Sequence, residues 1–134
     1  MGVDESWEQK IDFLKNLDAD KTKHTGGTLL EHLIGVHDIL KEWNVSEHIQ
    51  DAGLFHSVYG TASFKHKSTN DRDKVRELIG EQAEEVVFMF CSLPLPRQQN
   101  ILAMEPSQLR TDLLMLNIAN QDEMDDRRHK KFDV

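Results

Sequence analysis

The stretch TLLEHLIGVHDILKEW, residues 28–43, decides the fold class of this chain. Leu29, Leu33, Val36, Leu40 and Trp43 recur at the spacing of one helix face, which buries them along a single stripe. Thr28 followed by Glu31 is a capping box: the hydroxyl satisfies an orphan amide while the carboxylate reaches back to the cap. A helix therefore starts at residue 28 and runs to about residue 43.

The same period extends outward in both directions. Upstream, Trp7, Ile11, Leu14 and Leu17 line one face of a first helix over roughly residues 5–18, and the polar, glycine-containing DADKTKHTGG ends it. Downstream, Ser46 is a good N-cap for a third helix through Ile49, Ala52, Gly53 and His56, with Gly60 available for the turn. Residues 61–70 read as a polar loop. Asn70 or Asp71 caps a short helix carrying Val75, Leu78 and Ile79, and Gly80 breaks it before a run with Ala83, Val86, Val87 and Phe90. SLPLPRQ at 92–98 cannot continue a helix, because Pro94 and Pro96 lack amide hydrogens. A last helix starts near Pro106, carries Leu109, Leu113, Leu116 and Asn120, and frays into the charged tail DEMDDRRHKKFDV. No strand, internal repeat or low-complexity segment is predicted. The expected fold is all-α, a compact bundle of about six helices in one domain over residues 1–134, with its core between about 5 and 125.

Composition narrows the function classes. With 24 acids against 16 Lys+Arg, a formal charge of -8 and no basic stripe, nucleic acid is not an expected partner. The apolar runs are too short for a membrane span. Met1-Gly2 with Ser6 matches part of a myristoylation pattern, but the neighbouring acids and the missing basic patch argue against it. One cysteine allows no intramolecular disulfide and fits a reducing, cytoplasmic compartment. The sequence leaves the oligomeric state open.

Three polar residues fall on apolar faces. His32 lies between Leu29 and Val36, His56 follows the small residues Ala52 and Gly53, and Asn120 is four after Leu116. For each alone, a core side chain bonded to a carbonyl is the commoner explanation. Together, on three different helices, they predict a shared site. His24 and Tyr59 lie just beyond the ends of those helices. His37, His48, His66 and His129 read as surface residues, and Asp122 and Asp125 as a solvated face.

The order of these residues resembles the HD-domain superfamily, closest to its guanosine tetraphosphate hydrolase branch: His32, then His56 within AGLFHS, then VRELIGEQAEEVVFMFC, then LLMLNIANQDEM. The likeness covers about residues 21–125. It implies an all-helical, HD-like bundle in which a helix-borne His, a His-Asp pair and a late Asp hold one divalent metal, while an acidic pair assists attack of water on a phosphate ester. Residues 24–33 and 53–61 are also similar to an uncharacterised helical family with H-x-G-G-T-L-x-x-H-L and G-L-F-H-S-x-Y-G-T patterns. Carried across, the two HD histidines are His32 and His56. The paired Asp is Ser57, the acidic pair falls on Gly60 and Thr61, and the late Asp is Asn120, so every expected carboxylate is replaced by a neutral residue.

That replacement orders the functions. Mn²⁺ and Mg²⁺ prefer carboxylate oxygen and are disfavoured. Zinc or iron requires His24 as a third nitrogen beside His32 and His56, with Asn120 the remaining candidate metal ligand. The first-ranked reading is a metal-free pocket, without fixed negative charge, that binds a small anionic or phosphorylated molecule or acts on it through His56 and His32. Its other candidate ligand-binding residues are His24, Ser57, Tyr59, Thr61 and Asn120, with Lys21, Lys23 and Arg76 as outer contacts. An HD-type metalloenzyme, a phosphohydrolase before an oxygenase, ranks second, and a structural or partner-binding domain third.

Overall fold

The computed structural model describes residues 5–24 and 26–132, with side chains described over 6–24 and 26–126. Gly2 lies outside the described residues, as does the side chain of His129. Among the described residues there are seven helices: α1 (Glu5–Asn16), α2 (Leu29–Glu42), α3 (Glu47–Phe55), α4 (Arg72–Ile79), α5 (Glu81–Ser92), α6 (Arg97–Leu102) and α7 (Gln108–Phe132). The protein is an all-α bundle, and none of these helices is long and apolar enough to cross a membrane.

Side-chain caps start three of these helices. The Thr28–Glu31 capping box is present in both directions, at 3.2 Å and 2.8 Å, so α2 begins where the sequence places it. Asp71 caps α4 by accepting from the Lys74 amide at 3.1 Å. Ser107 Oγ accepts from the Arg110 amide, which starts α7 just after Pro106. Ser46 precedes α3 but makes no side-chain cap.

Helix α2 is central, packing on α3 and α7, while α3 packs on α5. Leu33, Val36 and Leu40 from α2 meet Ala52 and Phe55 of α3, Val87 and Phe90 of α5, and Leu113 and Leu116 of α7 in one core. Each such buried aliphatic or aromatic side chain contributes roughly 1.5–3 kcal/mol. Gly53 lets α2 and α3 approach closely: a Cβ there would stand 2.6 Å from Leu40 Cδ1 and 3.2 Å from Val36 Cγ1. Helix α1 closes the outside through the Phe13–Phe55 stack and a Lys10–Asp51 ion pair of 2.9 Å.

Three expectations are corrected. Strands do occur: β1 (Lys23–His24) and β2 (Gly27–Thr28) form an antiparallel hairpin with Gly26 at φ 73°, too short for any alternation to register in the sequence. Helix α6 raises the helix number above six; it was hidden because its six residues bury only Arg97 and Ile101, too few to show a period. Among the histidines taken as surface residues, His37 is buried, its ring centroid 4.7 Å from that of Trp7, because α1 covers that flank of α2. His48 is partly buried and bonds through Nε2 to the buried Asp112 at 2.7 Å. His66, Asp122 and Asp125 are exposed, and the charged tail continues α7 as far as Phe132.

Candidate functional site

A cavity of about 180 Å³ opens between the β-hairpin, the ends of α2 and α3, the loop after α3, and α7; His24, His32, His56, Ser57, Thr61 and Asn120 all line it. Ser63, Phe64, Phe90 and Met124 complete its wall. Six residues named by the sequence thus meet in one place. His32 sits on the first turn of α2, held inward by the Leu29–Val36 stripe, and His56 is the C-cap of α3. Their ring centroids are 5.1 Å apart in an edge-on arrangement.

The two histidines differ in how they are satisfied. His32 has a partner on each nitrogen: Nδ1 donates to Glu123 Oε1 at 2.5 Å, and Nε2 lies 2.8 Å from Asn120 Oδ1. His56 has one. Its Nδ1–H donates to the Gly53 carbonyl at 2.8 Å, leaving the Nε2 lone pair with no protein partner among the described residues. Burial, reinforced by the His32 ring, holds His56 well below its ordinary value of 6.5, and the Gly53 hydrogen bond opposes this without cancelling it. His56 is therefore a neutral imidazole with a free acceptor nitrogen. Beside it, the Ser57 hydroxyl is buried with no hydrogen-bond partner among the described residues.

Glu123 corrects the expectation that no carboxylate remains and that the pocket is free of fixed negative charge. It is buried on α7, one turn beyond Asn120, and a Cβ on Gly35 would stand 2.5 Å from its Oε2, so Gly35 provides the room for it. The sequence carried a usable signal, because Leu113, Leu116, Asn120 and Glu123 follow one helical stripe. Arg97 was also missed. It is buried, lies over the Phe90 ring with Cζ 4.5 Å from the centroid, and donates from Nη2 to Ser63 Oγ at 3.0 Å.

The other predicted residues do different work. Tyr59 points away from the cavity and donates to Glu84 Oε2 at 2.8 Å, while Arg72 binds both oxygens of that carboxylate. Burial would raise the Glu84 carboxyl, but the Arg72 and Tyr59 hydrogen bonds outweigh it and hold the group below its ordinary range. Thr61 lines the cavity, yet its hydroxyl accepts from the Phe64 amide at 2.9 Å and shapes the loop. Lys21 is exposed beside Asp18, Lys23 is exposed on β1, and Arg76 reaches Asp73 and Glu84; none of the three lines the cavity.

A divalent metal, which the HD resemblance implies, does not fit these residues as they stand. Both His32 nitrogens are engaged, and His24 stacks flat on His32 at 4.2 Å with 12° between planes, so their lone pairs lie in parallel planes and do not converge. Ser57 offers a hydroxyl where the pattern has a carboxylate. Among the described residues, no group of three or more His, Cys, Asp or Glu is arranged to hold a metal ion.

Fold and site thus define an all-α protein with a histidine-lined internal cavity. The chain belongs to the family described as domain of unknown function DUF6817, whose model matches residues 13–95. That span includes His24, His32, His56, Ser57 and Thr61 and stops short of Arg97, Asn120 and Glu123. Comparison with curated proteins and with solved structures finds no match.

Proposed function

We propose that the cavity binds a small anionic molecule that also carries a hydroxyl, with His56 as acceptor or general base toward that hydroxyl and Ser57 donating to the anion. The observation that carries this reading is the Ser57 hydroxyl, buried in the wall of a polar cavity without a partner, next to the unpaired His56 Nε2. Buried polar groups are almost always satisfied, and an unsatisfied one costs roughly 1–3 kcal/mol, so a wall holding the Ser57 hydroxyl in that state beside the His56 lone pair suits an occupant that completes both. At about 180 Å³ the space is below the roughly 300–1,000 Å³ of drug-sized pockets, which points to a small metabolite. The convergence of His32, His56 and Asn120 supports reading the pocket as a remodelled HD-type site.

A neutral imidazole with its lone pair in a desolvated cavity is suited to take a proton from a ligand hydroxyl or a bound water without a metal. Asn120 and His32 hold each other and stiffen the opposite wall. A thermal-shift screen of small carboxylates and phosphates tests the proposal. A hit is expected whose stabilisation is lost in His56→Gln and in His32→Gln and retained in His37→Gln, which alters a histidine outside the cavity. A hit that survives both His56→Gln and His32→Gln refutes the assignment of the cavity.

A further inference from the structure

Arg97 is a buried cation without an ion-pairing carboxylate among the described residues. Its side chain forms no ion pair among the described residues, its Nε is buried without a hydrogen-bond partner, and its one hydrogen bond goes to Ser63. Burying a guanidinium without a counter-ion is unfavourable, and desolvation holds the Arg97 pKa below the ordinary guanidinium range. The charge sits close to the cavity. Arg97 covers the Phe90 ring, that ring meets His56 edge-on at 5.5 Å, and both Phe90 and Ser63 belong to the cavity wall. Between Arg97 and the cavity lie an aromatic ring and a hydroxyl, which screen a field far less than water does.

Two carboxylates lie nearby, and neither pairs with Arg97. Glu123 bonds His32 Nδ1 and does not itself line the cavity. Asp122 shares an outer cleft with Arg97, together with Leu95 and Ile118, but is exposed and forms no ion pair with it. The basic residues expected to attract an anion, Lys21, Lys23 and Arg76, are not at the cavity.

We infer that Arg97, acting across Phe90 and Ser63, sets the charge preference of the cavity, so that its occupant is a small oxyanion and not the neutral molecule of the same shape. Arg97 is a specificity residue rather than a catalytic one, since it does not line the cavity itself. The inference rests on the cavity being a ligand site.

Acetate and acetamide, of nearly equal size, one anionic and the other neutral, separate the two claims. Binding is followed through the His56 ring resonances by NMR, which confines the readout to this cavity. The wild-type protein is expected to bind acetate at least about tenfold more tightly than acetamide. In Arg97→Met, which keeps the packing on Phe90, that preference should disappear while acetamide affinity stays within about twofold; Arg97→Lys, which keeps the charge, should retain most of it. Preference that persists in Arg97→Met overturns the inference. So does equal binding of the two probes by the wild-type protein, a result that needs no variant to fold and leaves the ligand site itself intact. Binding of neither probe overturns the site reading and this inference together.

Discussion

The nine residues from Gly53 to Thr61 serve two buried polar centres, and the contrast between them separates support from function. On one side, Tyr59 joins Arg72 on the Glu84 carboxylate, and Arg76 stands 3.6 Å from it. The functional groups there satisfy one another. On the other side, three residues earlier, His56 and Ser57 face a cavity with a lone pair and a hydroxyl that nothing in the described chain completes. A closed network rigidifies a fold, whereas an open one costs stability unless something outside the chain fills it. Tyr59 and Glu84 accordingly anchor the turn after α3 to α5.

The largest expected effect breaks the closed centre. Glu84→Ala strands the Tyr59 hydroxyl and the Arg72 guanidinium and should cost about 2–4 kcal/mol in denaturant unfolding, toward the lower end because Arg72 is part exposed. Ligand binding by the fraction that remains folded should be unchanged. Loss of binding at full stability would dissolve the distinction between the two centres.

Next comes the pH response of the open centre. Above pH 6.5 His56 is neutral in both folded and unfolded chains, so it adds no slope. Below that value the unfolded chain takes up a proton that the buried ring refuses, and stability should fall with pH by up to about 1.4 kcal/mol per unit until the lowered folded-state value is reached. Denaturant titrations at a series of pH values should show this component in the wild-type protein and its loss in His56→Gln. An identical slope in both would mean that His56 charges freely in the folded state.

Smaller still, and of opposite sign, is Ser57→Ala. Removing a buried hydroxyl that has no partner should leave stability within about 0.5 kcal/mol or raise it slightly, whereas affinity for a ligand found by screening should drop about tenfold. A cost above about 1.5 kcal/mol would show that the hydroxyl is satisfied and that the two centres are alike.

The smallest expected effect is none. Millimolar Mn²⁺ or Mg²⁺ should not shift the melting temperature, because engaged His32 nitrogens and stacked rings do not converge on an ion. A saturable increase would show Glu123 and Asn120 turning onto a cation, and would restore the metalloenzyme reading.

Much of the architecture was legible in the chain because its causes are local. The Thr28–Glu31 box, the Asp71 cap and the Leu29–Leu40 stripe act within a few residues of themselves, so α2 and α4 stand where their sequences put them. His32, His56 and Asn120 were found for the same reason: each is out of character on an apolar stripe. Helix α6 was not, since six residues do not complete two turns.

What the sequence determined by itself was therefore the helical phase of each segment: which side chains turn inward, where most helices begin, and that three inward positions are polar. Tertiary structure decided which of those side chains meet. His32 and Asn120 are 88 positions apart, and their contact depends on how α2 and α7 are rotated and spaced against each other, which the whole core sets. The same packing turned Tyr59 away toward Glu84, drew Glu123 in through the space left by Gly35, and placed Arg97 behind Phe90. Phase is a property of one helix, whereas distance between helices belongs to the packed chain. A pocket assembled from the ends of several helices thus takes its chemistry from contacts that no single segment encodes.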